Sequence, residues 1–265
     1  MHKILIGTNW KMYKSIAEAK EYTTALKAFF ENFSTDIELF IIPSFTSLHP
    51  VQEIVKDSTI LLGAQNMHWQ DEGAYTGEIS PVHLKEIGVQ IIELGHSERR
   101  EYFNETDEIL YKKVKAALKH GLKPLICIGE TREEKELFLT KEVLATQLKT
   151  IFQKIEVHDA QQLWIAYEPR WAIGEGGKVA EPKYIEEVHE CLRDLLIEIL
   201  GEVGKTVPIL FGGSVNSKNA IPYLKCKHVS GLFIGRAAWD LDSFKDILLQ
   251  VKKFVEHRKK VRSCS

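Results

Sequence analysis

Two side chains that can exchange protons, those of Glu168 and His96, lie at sequence positions where a shifted pKa is expected. Glu168 directly follows the apolar run Trp164–Tyr167. Burial against apolar walls disfavours a charged carboxyl, so its pKa is expected to rise toward the range useful to a general base. His96 follows Gly95 at the predicted start of a helix. Exposed main-chain N–H groups there disfavour a cationic imidazole, so we expect a neutral ring that donates one hydrogen bond.

A second group of residues suits an anion such as a phosphate. Gly212, Gly213 and Gly235 follow the seventh and eighth apolar runs, and glycine lets main-chain N–H groups approach an anion without a Cβ in the way. Lys11, after the first run, would add a compact cation. Taken singly, each of these residues also fits a structural role: a plain turn, a surface lysine, a glutamate in an ion pair or a loop histidine.

The segment 171–177 joins apolar residues to glycines and is predicted to be a lid. It reads Trp171, Ala172, Ile173, Gly174, Glu175, Gly176, Gly177. An apolar stretch can cover a substrate, and glycines can absorb the change of φ and ψ on closure. Together these features suit an enzyme that moves a proton between carbon atoms next to a carbonyl group. They comprise a base, a neutral hydrogen-bond donor, an ammonium group, an anion site and a closing loop.

The elements between these residues must bring them together. Eight short apolar runs predict strands covered on both faces, and helical patterns lie between them. This alternation predicts a parallel sheet closed as a (β/α)8 barrel, with residues 1–265 as one domain. The runs are Ile4–Ile6, Ile37–Ile42, Thr59–Gly63, Val89–Leu94, Leu122–Ile128, Leu163–Tyr167, Val207–Phe211 and Leu232–Ile234. The clearest helices are Ile16–Phe30, Thr106–Lys119, Glu134–Ile155, Tyr184–Leu200 and Asp242–His257.

An open, doubly wound sheet is the alternative fold. Its G-x-G-x-x-G turn is missing, because Gly7 leads into Thr8–Lys11. In a barrel the loops after the strands converge over one mouth, so the polar residues named above are expected to share a rim. The long connection Gly63–Ser80 has no predicted element, and a structureless loop of that size usually has a function.

The composition excludes several classes of protein. Thirty-five Lys and Arg against 37 Asp and Glu leave a formal net charge of -2, so a basic surface for nucleic acid is not expected. Neither a signal peptide nor a run long enough to span a membrane is recognisable. The 4 cysteines are widely spaced, which predicts neither a zinc site nor a disulfide framework. We expect a cytoplasmic protein that binds neither nucleic acid nor membranes.

Seven motifs, in order along nearly the whole chain, resemble the triosephosphate isomerase family. They are GTNWKM (7–12), AQN (64–66), TGEIS (76–80), GHSERR (95–100), CIGE (127–130), AYEPRWAIG (166–174) and FGGSV (211–215). The resemblance implies an isomerase in which Glu168 takes a proton from the carbon beside the substrate carbonyl and gives an enediolate. It also implies that His96, Lys11 and Asn9 contact the substrate oxygens, and that Glu98 orients Lys11 or relays protons.

The resemblance carries further implications for ligands and partners. Main-chain N–H groups at Gly174, Ser214, Gly235 and Arg236 would hold the phosphate, and no metal or organic cofactor is required. Segment 63–80 resembles the family's interdigitating loop. It implies a homodimer in which Thr76 reaches the partner's active site and Tyr75 contributes an aromatic contact. Cys127 would pack beneath the site.

Two departures from the family pattern lie at the phosphate end. The lid has Glu175 where a neutral residue is usual, and the turn after the eighth strand has Arg236. A carboxylate beside a phosphate is repulsive, whereas a guanidinium pairs with either anion. We therefore hypothesise that Glu175 and Arg236 form an ion pair in the closed lid.

The same substitutions, with Ala238 and Trp239, resemble a branch that interconverts L-erythrulose 1-phosphate and D-erythrulose 4-phosphate. This pair is the favoured substrate. Triose phosphate isomerisation in glycolysis is the alternative, because pocket shape and not the catalytic groups separates the two. A lyase or a barrel that binds sugar phosphates without catalysis stays open, since a fold alone does not fix a function.

Overall fold

Eight parallel strands close into a barrel in the computed structural model, which describes residues 3–31, 33, 36–156, 159–174 and 176–263. Each strand pairs with the next along the chain, and the last pairs with the first. This confirms the predicted (β/α)8 barrel, and the open doubly wound sheet is wrong. The strands are β1 (Ile4–Asn9), β2 (Ile37–Ile42), β3 (Leu61–Ala64), β4 (Ile91–Leu94), β5 (Lys123–Ile128), β6 (Trp164–Tyr167), β7 (Ile209–Gly213) and β8 (Gly231–Ile234).

Helices occupy the connections and follow the last strand. The first has a reciprocal N-terminal cap, in which Ser15 and Glu18 each accept a main-chain N–H of the other. The helices are α1 (Ile16–Phe30), α2 (Leu48–Val55), α3 (Pro81–Ile87), α4 (Ser97–Tyr102), α5 (Asp107–Lys119), α6 (Arg132–Glu136), α7 (Thr140–Phe152), α8 (Pro182–Leu200), α9 (Ala220–Lys225) and α10 (Leu241–Ser263).

The predicted continuous helix Glu134–Ile155 is wrong, because the chain breaks between α6 and α7. Phe138 lies in this break with a left-handed φ of 59°, which interrupts the helical hydrogen-bond ladder. The Phe138 side chain is 91% exposed, so packing does not enforce this conformation. The apolar period continues across the break without a glycine or proline, and therefore gives no signal of it.

Apolar side chains fill two layers, one inside the barrel and one between strands and helices. The inner layer includes Phe40, whose ring centroid lies 5.5 Å from that of Trp164 and 5.7 Å from that of Phe233. The outer layer is the larger of the two and includes Trp10 and Tyr223. The inner layer forms a closed floor, so the polar residues after the strands can meet only above it.

The connection between β3 and α3 contains neither helix nor strand, as the sequence predicts. Its base is anchored, because Lys113 of α5 donates to Asn66 across 2.8 Å and pairs with Glu105. Its residues 72–78 are exposed, and the ring of Tyr75 packs on that of His68 at 4.2 Å. The segment therefore projects from an ordered base. Among the residues described, no helix has the length and apolar character needed to cross a membrane.

Candidate active site

The carboxyl ends of the strands surround a cavity of about 1100 Å³. The residues that the family resemblance gives as catalytic or phosphate-binding all line it, and so do five of the seven residues of the predicted lid. Trp171, Tyr75 and Thr76 lie away from this cavity, and Glu175 lies outside the described residues. The predicted residues that line the cavity are Asn9, Lys11, His96, Glu98, Glu168, Ala172, Ile173, Gly174, Gly176, Gly177, Gly213, Ser214, Gly235 and Arg236.

Glu168 follows β6 and turns its carboxyl into the barrel mouth. Its main-chain N–H donates to the carbonyl of Ile128 across 2.8 Å, which fixes the residue against β5. Opposite it, a Cβ at Gly212 would stand 2.9 Å from Oε1 of Glu168. Gly212 therefore makes room for the carboxyl, a role that its sequence context does not reveal.

The Glu168 carboxyl is poised to take up a proton. It is 5% exposed, and Oε2 has no hydrogen-bond partner among the described residues. Burial raises its pKa from 4.5 to about 7, against the opposing charge of Lys11. A carboxyl with a pKa near neutrality exchanges protons readily at physiological pH.

His96 is held as a neutral ring of one tautomer. It caps the first turn of α4, where the main-chain N–H of Glu98 donates to Nδ1 across 3.2 Å. An accepting Nδ1 carries no proton, so the proton of the neutral ring lies on Nε2. Burial, and next the charge of Lys11, lower the pKa of His96 to about 3. The expectation of a neutral His96 at a helix start agrees with this geometry.

The two groups face each other across the cavity floor. Nε2 of His96 lies 3.8 Å from Oε2 of Glu168. This separation exceeds a hydrogen bond, and both atoms point to the same volume. A substrate placed above this pair could contact the carboxylate and the ring N–H at the same time.

Lys11 enters the site from the end of β1 in a left-handed conformation, with φ 52°. Its main-chain N–H donates to Oδ1 of Asn9 across 2.5 Å, and its carbonyl accepts from Gln65 across 2.7 Å. The ammonium pairs with Glu98, whose oxygen lies 2.5 Å away. These contacts aim a cation at the cavity and bring Lys11 and Glu98 together.

Glu93, a buried carboxyl below the site, is a residue that the sequence interpretation missed. It lies on β4, is 0% exposed and accepts the amide N–H of Asn9 across 2.7 Å. Burial, and next the charge of Glu168, raise the pKa of Glu93 well above its usual value. A charged residue inside the apolar run IIEL was a signal, because a buried strand seldom carries one without a partner.

The residues predicted to bind a phosphate line the same cavity as Glu168. Gly174, Ser214, Gly235 and Arg236 line it, and Gly174 has a left-handed φ of 83°. Ser214 is fixed by its hydroxyl, which donates to the carbonyl of Ala172 across 2.8 Å. Main-chain N–H groups beside a guanidinium suit the oxygens of a phosphate. The Glu175–Arg236 ion pair stays a prediction.

The start of the predicted lid is tied to the protein interior. The indole N–H of Trp171 donates to Glu130 across 2.8 Å, and the hydroxyls of Tyr167 and Tyr184 donate to the same carboxylate. Glu130 is 0% exposed, so these donors replace its water. Trp171 therefore anchors the segment, while residues 173, 174 and 176 line the cavity.

One further cluster has the composition of a metal site. An oxygen of Glu93, an oxygen of Glu168 and a ring nitrogen of His96 lie within 4.8 Å of one another. Glu93 already accepts from Asn9, and Nε2 of His96 carries the proton of the neutral ring. A metal needs free lone pairs, so we assign none to this cluster.

Comparison with known proteins identifies the family of this chain. A family model described as triosephosphate isomerase matches residues 4–251. A protein of Brucella abortus biovar 1 (strain 9-941) named L-erythrulose-1-phosphate isomerase is 46% identical over 249 residues, which are 94% of this chain and 96% of that protein. A protein of the same name from Rhizobium rhizogenes is 45% identical and is matched over 92% of each chain. Another from Rhizobium etli is 41% identical, and the match covers 96% of this chain and 94% of that protein. The chain therefore belongs to the triosephosphate isomerase family and is an isomerase.

Proposed function

We propose that this protein interconverts L-erythrulose 1-phosphate and D-erythrulose 4-phosphate through an enediolate. The observation that carries the proposal is the pair formed by Oε2 of Glu168 and Nε2 of His96, 3.8 Å apart above a closed floor. The relatives' names supply the four-carbon substrate, since three of them act, by name, on L-erythrulose 1-phosphate.

The first half of the reaction removes a proton from carbon. The Glu168 carboxylate takes the proton from carbon 3 of L-erythrulose 1-phosphate, next to the carbonyl at carbon 2. The C–H electron pair forms a carbon–carbon double bond, and the carbonyl electrons move to oxygen. The N–H of His96 and the ammonium of Lys11 stabilise that oxygen, because both donors are already positioned before charge develops.

The second half returns the same proton to the neighbouring carbon. A proton moves from the oxygen on carbon 3 to the oxygen on carbon 2, and Glu168 gives its proton to carbon 2. The carbonyl now stands at carbon 3, which is D-erythrulose 4-phosphate. Every step is a proton transfer, so the residues described suffice without a metal or an organic cofactor.

Two structural features would keep the enediolate on this path. The main-chain N–H groups at Gly174, Ser214, Gly235 and Arg236 would hold the phosphate away from Glu168. The segment 171–177, anchored at Trp171, would close over the cavity and exclude water. Glu98 would keep the ammonium of Lys11 aimed at the substrate oxygens.

Triose phosphate isomerisation is the second candidate, and the match of the family model to residues 4–251 favours it. The same groups serve both reactions, because only the hydroxymethyl group on the far carbon differs. An added group against a pocket wall changes discrimination by about 1–3 kcal/mol. The substrate must therefore be identified by measurement.

The test compares kcat/KM for L-erythrulose 1-phosphate and dihydroxyacetone phosphate. We expect at least about tenfold preference for the four-carbon substrate, within the range that one substituent produces. The Glu168→Gln variant is the control and should bind inorganic phosphate normally while losing turnover. Preference for the triose would refute the favoured substrate. Phosphate binding without turnover of either compound would favour a non-catalytic barrel.

We further propose that the protein is a homodimer and one domain, and that it works in the cytoplasm. Exposed residues 72–78 support the dimer, because they project from an anchored base and include Tyr75 and Thr76. In a dimer, Thr76 would reach the active site of the partner. The apolar side chains of Met12, at 94%, and Tyr13, at 55%, are exposed beside the cavity and would be covered by such a loop.

A further inference from the structure

Glu93 is a buried carboxyl in the interior of the barrel, in the layer directly below the proposed catalytic groups. Its neighbours on the inner face include Cys127 of β5, whose thiol lies 3.9 Å from Oε1. Its other oxygen, Oε2, accepts from Asn9 of β1. A fully buried carboxyl that only packed could be replaced by an aliphatic side chain, so these contacts point to a specific role.

A chain of hydrogen bonds connects Glu93 to the cavity. The amide of Asn9 gives an N–H to Glu93 at 2.7 Å and accepts the main-chain N–H of Lys11 at 2.5 Å. This fixes which end of the amide carries oxygen, and it holds Lys11 in its left-handed conformation. The second N–H of the Asn9 amide stays available to a substrate oxygen.

The charges around Glu93 favour its neutral form. Cys127 and Glu168 face it from β5 and from the end of β6, and His96 follows its own strand. The charges of Lys11 and Glu98 have smaller effects on the pKa of Glu93, of opposite sign. Burial and the charge of Glu168 raise the pKa of Glu93 well above its usual value. Two carboxylates this close do not ionise together, so a neutral Glu93 leaves Glu168 free to carry the charge.

We propose that Glu93 is a positioning residue of the isomerase, an uncharged carboxyl that orients Asn9 and, through it, Lys11. The role rests on the function proposed above, because Lys11 acts there on the substrate oxygen. Glu93 itself touches no substrate. The feature that acts is a neutral acceptor at Oε2, which an amide can reproduce and an aliphatic side chain cannot.

Two substitutions at position 93 separate positioning from packing. Glu93→Gln keeps the shape and the acceptor, so we expect kcat/KM within about threefold of the wild type, with an unchanged acid limb of the pH profile. Glu93→Leu leaves the Asn9 N–H buried without a partner, so we expect a fall of about 10- to 100-fold. A Gln variant as impaired as Leu, or a Leu variant as active as Gln, would overturn the proposal.

A double-mutant cycle tests the route through Asn9. In an Asn9→Ala background, Glu93→Leu should lower kcat/KM by no more than about threefold, because the group that it positions is gone. An undiminished loss in that background would overturn the route. Should Glu93→Leu fail to fold, Glu93→Met removes the acceptor with a longer, more flexible side chain and the same expectations.

A spectroscopic measurement judges the uncharged state without any substrate. The infrared difference between wild type and Glu93→Gln at pH 7 should contain the carbonyl band of a protonated carboxylic acid. Carboxylate bands in its place would refute the neutral Glu93. This result stands even when neither sugar phosphate is turned over, so failure of the proposed function is distinguishable from failure of this inference.

Discussion

The main-chain N–H of Glu98 donates to Nδ1 of His96 across 3.2 Å, so the only ring proton of the neutral histidine is on Nε2. Since burial lowers the pKa of His96 to about 3, we expect nitrogen-15 NMR to detect one protonated and one unprotonated ring nitrogen from about pH 5 to about pH 9.

His96→Gln identifies the signals, and the fully buried His189 provides an internal comparison, because burial lowers its pKa to about 3 as well. Two protonated nitrogens at His96 near pH 6 would contradict the assignment and make it an imidazolium donor.

The rate should report the ionisation of Glu168. Only the carboxylate accepts a proton, and burial raises its pKa to about 7, so kcat/KM should fall about tenfold per pH unit below that value. The substrate phosphate ionises near pH 6. Binding of inorganic phosphate over the same range therefore serves as the control. A profile that stays flat down to about pH 5 would show that Glu168 is not the base.

The same pKa predicts a dependence of stability on pH. The pKa of Glu168 is about 7 in the folded protein against 4.5 for an unperturbed group. The unfolded chain therefore releases this proton first, and the folded state loses stability as pH rises from 4.5 through 7. Glu168→Gln should raise the free energy of unfolding at pH 8 by on the order of 3 kcal/mol.

Urea unfolding at several pH values measures this effect. The gain from Glu168→Gln should shrink toward pH 4.5, the unperturbed pKa. Glu86→Gln, an exposed change on α3, should alter stability by less than about 0.5 kcal/mol at every pH. If Glu168→Gln raised the free energy of unfolding equally at all pH values, the increase would be due to packing and not to ionisation.

The sequence predicts the barrel well because each strand is a short apolar run followed by a polar turn. The runs Ile4–Ile6 and Leu232–Ile234 lie inside β1 and β8, and residues at the ends of five of the eight strands line one cavity. The resemblance in seven motifs then names the residues at that end. The hydrophobic pattern alone predicts only that the residues after the strands lie at one rim of the barrel. It does not identify the catalytic residues, because a rim holds more polar residues than the reaction needs.

Features that depend on three-dimensional neighbours could not be predicted in this way. Glu93 is visible as a charge in a strand, but only strand register turns it inward toward Asn9. Gly212 has the composition of a phosphate turn, whereas its position opposite Glu168 gives it a second role. Phe138 breaks a helix with no local signal. For Glu93 and Gly212, a side chain far away in the sequence decides the outcome.

The attachment of the lid to Glu130 can be tested by removing single donors. Trp171→Phe and Tyr184→Phe each delete one of the N–H or O–H groups that donate to this buried carboxylate. Both should lower the free energy of unfolding by about 1–3 kcal/mol. Only Trp171→Phe should also lower kcat, because Trp171 is part of the segment that is proposed to close.

Urea unfolding and steady-state kinetics of the two variants make this comparison. Equal kinetic effects at equal loss of stability would assign the role of Trp171 to folding, and the lid would need another anchor.

The proposed dimer predicts a sensitive position in the exposed segment. Thr76→Arg places a long cation where a partner subunit would pack, so we expect monomers in analytical ultracentrifugation and a fall in kcat/KM of at least about tenfold. Thr146→Arg makes the same change at an exposed position of α7 and should leave both unaltered. A monomeric wild type with full activity would refute the dimer.

The indole N–H of Trp239, beyond β8, donates to the carbonyl of Asn9 at the end of β1 across 2.9 Å. This bond joins residues 230 positions apart at the wall of the catalytic cavity. During synthesis on a ribosome, Asn9 and Lys11 are made early. The residues that complete the cavity around them, including Trp239, are made only near the end of the chain. We therefore expect the chain to become active only after β8 has been made and has joined β1, and a truncated chain that ends before β8 to be inactive.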